Sequence, residues 1–366
     1  MSLNLEMGYG GVPNFGKVLV VAGGAFVAGW FPGRLLAMMY GVNPSIDYIS
    51  RNGLVMALVN ARLGQEPLTA ILVFIATLGL AAVVGGILGL VSSYPAIRLK
   101  EDYLAITLIA MGELVKIVGY NYTPLVGGTL GVQVPDFLAF VGSDLRFTAA
   151  TVTMLAVAAV IFITMGRLMG SPLGRLVRAV RDDPVAASAL GKDVVAVRSR
   201  VMIVGSAIGA IGGALYAFYT SATLASAYTR TDWTFWPWVM VMLGGAGNNK
   251  GALVGSFTFV TARKLIIFYK HDIAFLFPFD VTWLDPILLG VTLIVLLMYR
   301  PQGLIPEGPT YTLGRKRLEE AMTVKGEERV MAGGVAGGKV QGEEKPLGLV
   351  EKLVRTIRSI FDKVLH

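Results

Sequence analysis

The residues able to do chemistry in this 366-residue chain are few, and their spacing excludes most reactions. There are two histidines, His271 and His366, and no cysteine. That removes thiolate chemistry, disulfides and thiolate metal sites, and leaves the histidines too far apart for a metal site or a relay. No Ser/His/Asp constellation stands out. The pairs Gly191-Lys192 and Gly338-Lys339 are followed by Asp193 and Val340, without the Gly-rich lead-in and Ser or Thr of a phosphate-binding loop. What remains is ionic contact. Glu113 stands in an otherwise apolar run and Lys116 follows one helical turn later, where the two can pair. A carboxylate in hydrocarbon costs about 2.5–3.5 kcal/mol on insertion scales, so Glu113 is expected to face protein or water. Two readings are open: an internal salt bridge that fixes helix packing, or a pair that lines a solute path and meets the ends of a zwitterion.

The elements that must position these residues are membrane helices. The chain is 54% hydrophobic and 15% charged, against about 25% charged in soluble domains, and its mean hydropathy is +0.65. Pro67 to Ile97 and Val201 to Thr229 hold no charged side chain, and about 20 apolar residues suffice to cross a bilayer. Windows of that length predict crossings near 15–40, 68–94, 103–119, 147–166, 201–221, 234–247, 252–269 and 284–299. Pro32, Gly33 and Arg34 interrupt the first, which is expected to have a bent or frayed end. Gly244 to Gly251, GGAGNNKG, suggests half-helices joined by an irregular turn, tolerated where backbone is buried in protein or lines water. Gly205, Gly209 and Gly213, like Gly85 and Gly89, repeat at four-residue spacing and read as helix-packing faces.

The formal charge is +8, but the basic residues collect in a few loops, as in cytoplasmic loops of membrane proteins; no nucleic-acid partner is implied. Gly166 to Arg200 holds seven Lys or Arg against three Asp, and the tail after Tyr299 holds twelve against nine acids. Both are expected in the cytoplasm, with a cytoplasmic C-terminus. Alternation then places Arg98 to Asp102 and Lys250 inside. Asn121 to Arg146 and Ser221 to Trp233 fall outside, with Trp233, Trp236 and Trp238 as an interfacial belt.

Residues 175–193, RLVRAVRDDPVAASALGKD, break the apolar pattern. Leu173, Leu176, Val177 and Val180 make one stripe of a helix, and Arg175, Arg178 and Arg181 another. Asp183 is a good N-cap, Pro184 the favoured first helical residue and Gly191 a left-handed stop, which predicts a two-turn helix over Pro184–Leu190. Its small, alanine-rich sides suit docking into a groove on another protein, although an ordinary loop is the alternative on spacing alone.

AASALG, Ala186 to Gly191, resembles the Glu-Ala-Ala-x-x-x-Gly loop of ABC importer permeases, with Val185 where the glutamate would stand. NLEMGYGGVPNFGK (4–17), RLKEDYLAITLIAMGELVKIV (98–118), GRLVRAVRDDPVAASALG (174–191), MLGGAGNNKGALVG (242–255) and YRPQGL (299–304) resemble, in order, the branched-chain amino acid permeases of that class. The resemblance implies an all-α, polytopic membrane bundle with broken helices and a cytoplasmic coupling helix. It implies Asp183, Pro184, Ala186, Ala187, Leu190 and Gly191 as the contact with an ATPase. Gly127, Gly128 and Gly131 of the outer loop Asn121 to Pro135 would join Glu113 and Lys116 as candidates for the translocation path. Two ATP-binding subunits, a second permease subunit, an extracytoplasmic binding protein and membrane lipid are the implied partners. ATP and magnesium would be bound by the partners, with no cofactor in this chain and no catalysis by it. In the family a membrane helix usually precedes the region matching Asn4 to Lys17, so two readings are open: the chain lacks a first crossing, or it begins at a late start codon.

The expected organisation is a permease domain over 1–304, a flexible linker over 305–348 and a basic amphipathic helix over 349–366, in which Leu349, Leu353, Ile357, Ile360 and Val364 form the apolar stripe. Related permeases carry urea, short amides or other amino acids, which leaves the substrate open. A stand-alone secondary transporter or channel would leave the capped cytoplasmic helix without a task. A membrane scaffold would leave the broken helices without one.

Overall fold

In a computed structural model the chain is described over residues 1–43, 47–99, 101–269, 284–299 and 302–308, and Met1–Gly308 form one compact unit. The expected 349–366 helix lies outside the described residues. Six described helices are long and apolar enough to cross a membrane, which makes the architecture the all-α bundle that the composition implies.

Helices α1 (Lys17–Met39), α3 (Pro67–Arg98) and α9 (Val194–Thr220) form the centre. Their glycines let the backbones meet: a Cβ on Gly89 would lie 2.8 Å from Met202 O, and one on Gly85 2.8 Å from Ser206 O. Without a hydrophobic drive between helices in lipid, such close packing supplies the attraction. The α3 glycines therefore do the packing expected of them. α1 runs through Pro32 without fraying. Its last turns are held by α2 (Asn52–Leu63), where Leu36, Val55, Met56 and Val59 are buried together.

α4 (Glu101–Asn121) lies on α1, with Gly112 against Val18 and Gly119 against Phe26. A short helix, α5 (Thr123–Val126), leads into β1 (Val132–Gln133), and α6 (Ser143–Gly170) returns to the opposite end. There α7 (Pro172–Asp182) and α8 (Pro184–Ala189) precede α9. β2 (Ala222–Thr223) pairs antiparallel with β1, Val132 opposite Thr223 and Gln133 opposite Ala222. The loops after α4 and α9 thus share one end, as alternation requires.

The crossing expected at 234–247 is not a single helix. α10 (Trp236–Gly244) has nine residues, about 14 Å, less than half of a hydrocarbon core of about 30 Å. The chain enters from β2 as irregular backbone, winds a π-helical turn over Thr231–Phe235 and only then becomes α10. Gly245, at φ +111°, ends it. The turn delivers the chain to α11 (Asn249–Tyr269) beside Arg181 of α7, so Lys250 stands at the α7–α8 end, as alternation places it. After α12 (Leu284–Tyr299), residues 302–308 return to that turn, with Leu304 and Ile305 amides donating to Leu243 and Gly244 carbonyls at 2.9 Å.

The three tryptophans expected as a belt are partly buried and have protein partners. Trp238 stacks on Phe15 at 4.3 Å and donates to Asn14 O, Trp233 stacks on Tyr228, and Trp236 meets Phe259. Within the entry segment Thr223, Ala225, Tyr228 and Thr234 are buried, while Arg230, Thr231 and Asp232 stay exposed.

Candidate functional site

α8 forms where the residues place it, one residue shorter than expected at its C-terminus. Asp183 accepts from the amides of Val185 at 3.0 Å and Ala186 at 2.9 Å, satisfying two of the donors a helix start leaves open. Pro184 needs no such partner. Gly191 takes φ +73° and its amide donates to Ser188 O, the left-handed cap that a side chain disfavours. Ala187 is buried among Val177, Val180, Val197 and Val201, while Val185 and Leu190 are 75% and 78% exposed. The small helix thus rests on α7 and α9 by one alanine and offers two apolar side chains outward.

α7 departs from a simple amphipathic helix. Val177 and Val180 are buried as expected, but of the arginine stripe only Arg175 stays exposed. Arg181 Nη1 donates to Gly8 O and lies 2.8 Å from Glu307 Oε2, and Arg178 Nε lies 3.3 Å from Glu307 Oε1. Burial opposes the Arg181 charge, but the hydrogen bonds with Asp182 and Glu307 outweigh it and move its pKa upward.

The most buried charge in the described chain was not singled out from the sequence. Lys17 Nζ is 2.7 Å from Glu6 Oε1, with the side chains 4% and 0% exposed. Asn14 Nδ2 donates to Glu6 Oε2 at 2.9 Å, Ser206 Oγ approaches Oε1 at 3.4 Å, and Lys17 also reaches Gly205 O at 3.4 Å. Gly205 is the residue that makes room: its Cβ would stand 2.6 Å from Glu6 Cγ. Gly205 thus admits the carboxylate of the helix that carries Glu6, while Gly209 and Gly213 pack against Val20 and Val21 of α1. A signal did exist, since Glu6 and Lys17 are the only charged side chains among the first 33 residues. The π-helical Asn4–Tyr9 that carries Glu6 is tied to the α10–α11 turn by Asn4, which accepts from the Gly247 amide and donates to Asn249.

Glu113 and Lys116 do pair, at 3.2 Å along α4, with side chains 39% and 27% exposed. They stand apart from the Glu6 cluster. In the loop after α4, Gly127 and Gly128 are buried, the Gly127 amide is committed to Thr123 O, and Gly131 lies against Thr223 O. Through Gly131 and the β1–β2 pairing this loop is joined to the segment that follows α9. Among the described residues no group of acids and histidines could hold a metal ion.

An all-α bundle with six described helices able to cross a membrane, a buried ion pair and a broken crossing is the architecture of a polytopic membrane protein. Residues 1–297 match the family model described as "Branched-chain amino acid transport system / permease component", and the chain belongs to that family. It is 39% identical over 319 residues to the probable branched-chain amino acid transport permease protein LivM of Methanocaldococcus jannaschii, covering 87% of this chain and 92% of the relative. It is 27% identical to the Escherichia coli high-affinity permease protein LivM over 62% of this chain and 55% of the relative. It is 26% identical to the Salmonella typhimurium LivH over 68% and 75%. No solved structure matches the chain.

Proposed function

We propose that this chain is the membrane-spanning subunit of an ATP-driven importer of branched-chain amino acids. It works with two ATP-hydrolysing subunits, a second permease subunit of its family and an extracytoplasmic binding protein. The partners hold ATP and magnesium, and this chain moves solute without catalysing a reaction. The observation that carries the reading is α8, capped at both ends and exposing Val185 and Leu190 beyond the bundle. A helix so placed has little to do for its own fold. It suits a groove on an ATPase, which sets the α7–α8 end in the cytoplasm, in accord with the seven basic residues of 166–200 and the positive-inside rule.

The mechanism is alternating access, in which ATP-driven movement of the partners displaces α8 and the bundle reopens on the other side. Glu113 and Lys116 line the path, where a half-exposed ion pair can exchange partners with a zwitterion at little cost. Two measurements test the reading. ATP-hydrolysing subunits should co-purify in stoichiometric amount, and vesicles holding the assembly should import leucine with binding protein and ATP. Import driven by an ion gradient without ATP would overturn it in favour of a secondary transporter.

A further inference from the structure

Arg181 sits where four separate stretches of chain meet. α7 ends at Asp182, and Asp183 is at once its C-terminal cap and the N-cap of α8. No flexible connection separates Arg181 from α8, so a displacement of α8 is carried into the last turn of α7. From that turn Arg181 reaches Gly8 O at the foot of the N-terminal π-helix and Glu307 in the segment after α12. Glu307 in turn lies against the α10–α11 turn: a Cβ on Gly247 would stand 2.7 Å from Glu307 Oε2 and 3.2 Å from Arg181 Nη1. Asn248 Nδ2 donates to Pro306 O at 3.0 Å and fastens the same two segments.

The two turns held by Arg181 belong to the broken elements. Gly8 is two residues from Glu6, whose carboxylate is paired with Lys17 inside the bundle. Gly247 donates its amide to Asn4. Charge-assisted hydrogen bonds are short and strong, and hold direction better than apolar contact.

We propose that Arg181, latched by Glu307, is the positioning residue through which movement of α8 reaches the N-terminal π-helix and the α10–α11 turn. Beside this latch α7 packs on α6 and α9 through the valine and methionine side chains of one apolar cluster, and its second arginine, Arg178, donates to Met169 O at 2.9 Å and lies 3.3 Å from Glu307, so Arg181 is the α7 arginine that reaches the N-terminal π-helix backbone. The polar latch binds the two turns to α7 as one body. Chains of hydrogen bonds between rigid elements are one physical means of carrying coupling. The proposal rests on the ATP-driven reading above.

The test uses the full transporter in vesicles, comparing wild type with Glu307→Gln, Arg181→Gln, the double variant and Arg181→Lys. The readouts are ATP hydrolysed per leucine imported and amide hydrogen exchange over residues 3–8 and 245–248. Glu307→Gln and Arg181→Gln are expected to raise the ATP-to-leucine ratio about five-fold or more, the lower range of allosteric couplings. The double variant should lose less than the sum of the two single ones, since both break the Arg181–Glu307 pair, while Glu307 also faces Arg178 and Arg181 also donates to Gly8 O. Arg181→Lys, which keeps the charge and one bond, should fall between, and it carries the test if Arg181→Gln does not assemble. In wild type, exchange in both turns should change on ATP binding, and in Glu307→Gln it should not. A ratio within two-fold of wild type, or additive losses in the double variant, overturns the latch. Import without ATP by the wild type itself would instead sink the underlying reading.

Discussion

Lys17 Nζ lies 2.7 Å from Glu6 Oε1 with both side chains sealed from solvent, and Asn14 supplies a further hydrogen bond to the same carboxylate. Desolvating two ions costs several kcal/mol each, recovered only when geometry and additional hydrogen bonds are good. Here both conditions are met. The pair therefore fixes where Asn4–Tyr9 lies against α1 and α9, and removing half of it leaves a naked buried charge.

The first prediction follows from that asymmetry. Glu6→Gln or Lys17→Met alone should destabilise the bundle by about 3–5 kcal/mol, seen as a lower unfolding temperature in detergent. The double variant Glu6→Gln with Lys17→Met should recover most of the loss, because no charge is left unpaired. A double variant as unstable as the sum of the singles would contradict the pairing.

A matched pair of substitutions on α9 separates packing against Glu6 from helix propensity. Gly205→Ala drives a Cβ into the Glu6 carboxylate, while Gly212→Ala meets nothing within 4 Å. Gly212→Ala should stabilise by about 0.5–1 kcal/mol, the ordinary gain of alanine over glycine in a helix. Gly205→Ala should destabilise and lower transport. Thermal unfolding of the two variants checks both signs.

At the end of α8 the effect should be conformational alone. Gly191 has φ +73° with open space around it, so Gly191→Val strains the cap by about 1–2 kcal/mol without a clash. Gly191→Asn, which tolerates that region, should be close to wild type. In vesicles Gly191→Val is expected to hydrolyse ATP while importing little leucine. Normal ATP-driven uptake by Gly191→Val would remove α8 from the coupling.

Exchanging Glu113 and Lys116 keeps an ion pair one turn apart on α4, a contact worth about 0.2–0.5 kcal/mol on a helix surface. The swap is expected to express and assemble normally yet transport poorly, because the charges offered to a zwitterion are reversed. Uptake equal to wild type would show that the pair only packs.

The local features of this protein were legible in the amino-acid order. Apolar blocks such as Pro67 to Ile97 are long enough to span and can only be helices in a membrane. Asp183, Pro184 and Gly191 bound α8 because a cap acts on amides two or three residues away and a left-handed stop depends on one backbone angle. The Glu113–Lys116 pair is equally local, one turn of one helix. The tertiary structure alone decided the rest. Glu6 meets Ser206 across 200 positions and Arg181 meets Gly8 across 173, distances over which composition and periodicity carry no information. Trp238 stacks on Phe15 from a distant part of the chain, and α10 stops after nine residues at Gly245, whose φ of +111° ends the helix. Capping and periodicity act within a turn or two of helix. Which buried charge finds which partner depends on how the helices pack, and in a membrane that packing is set by shape at glycines such as Gly89 and Gly205 rather than by a pattern along the chain.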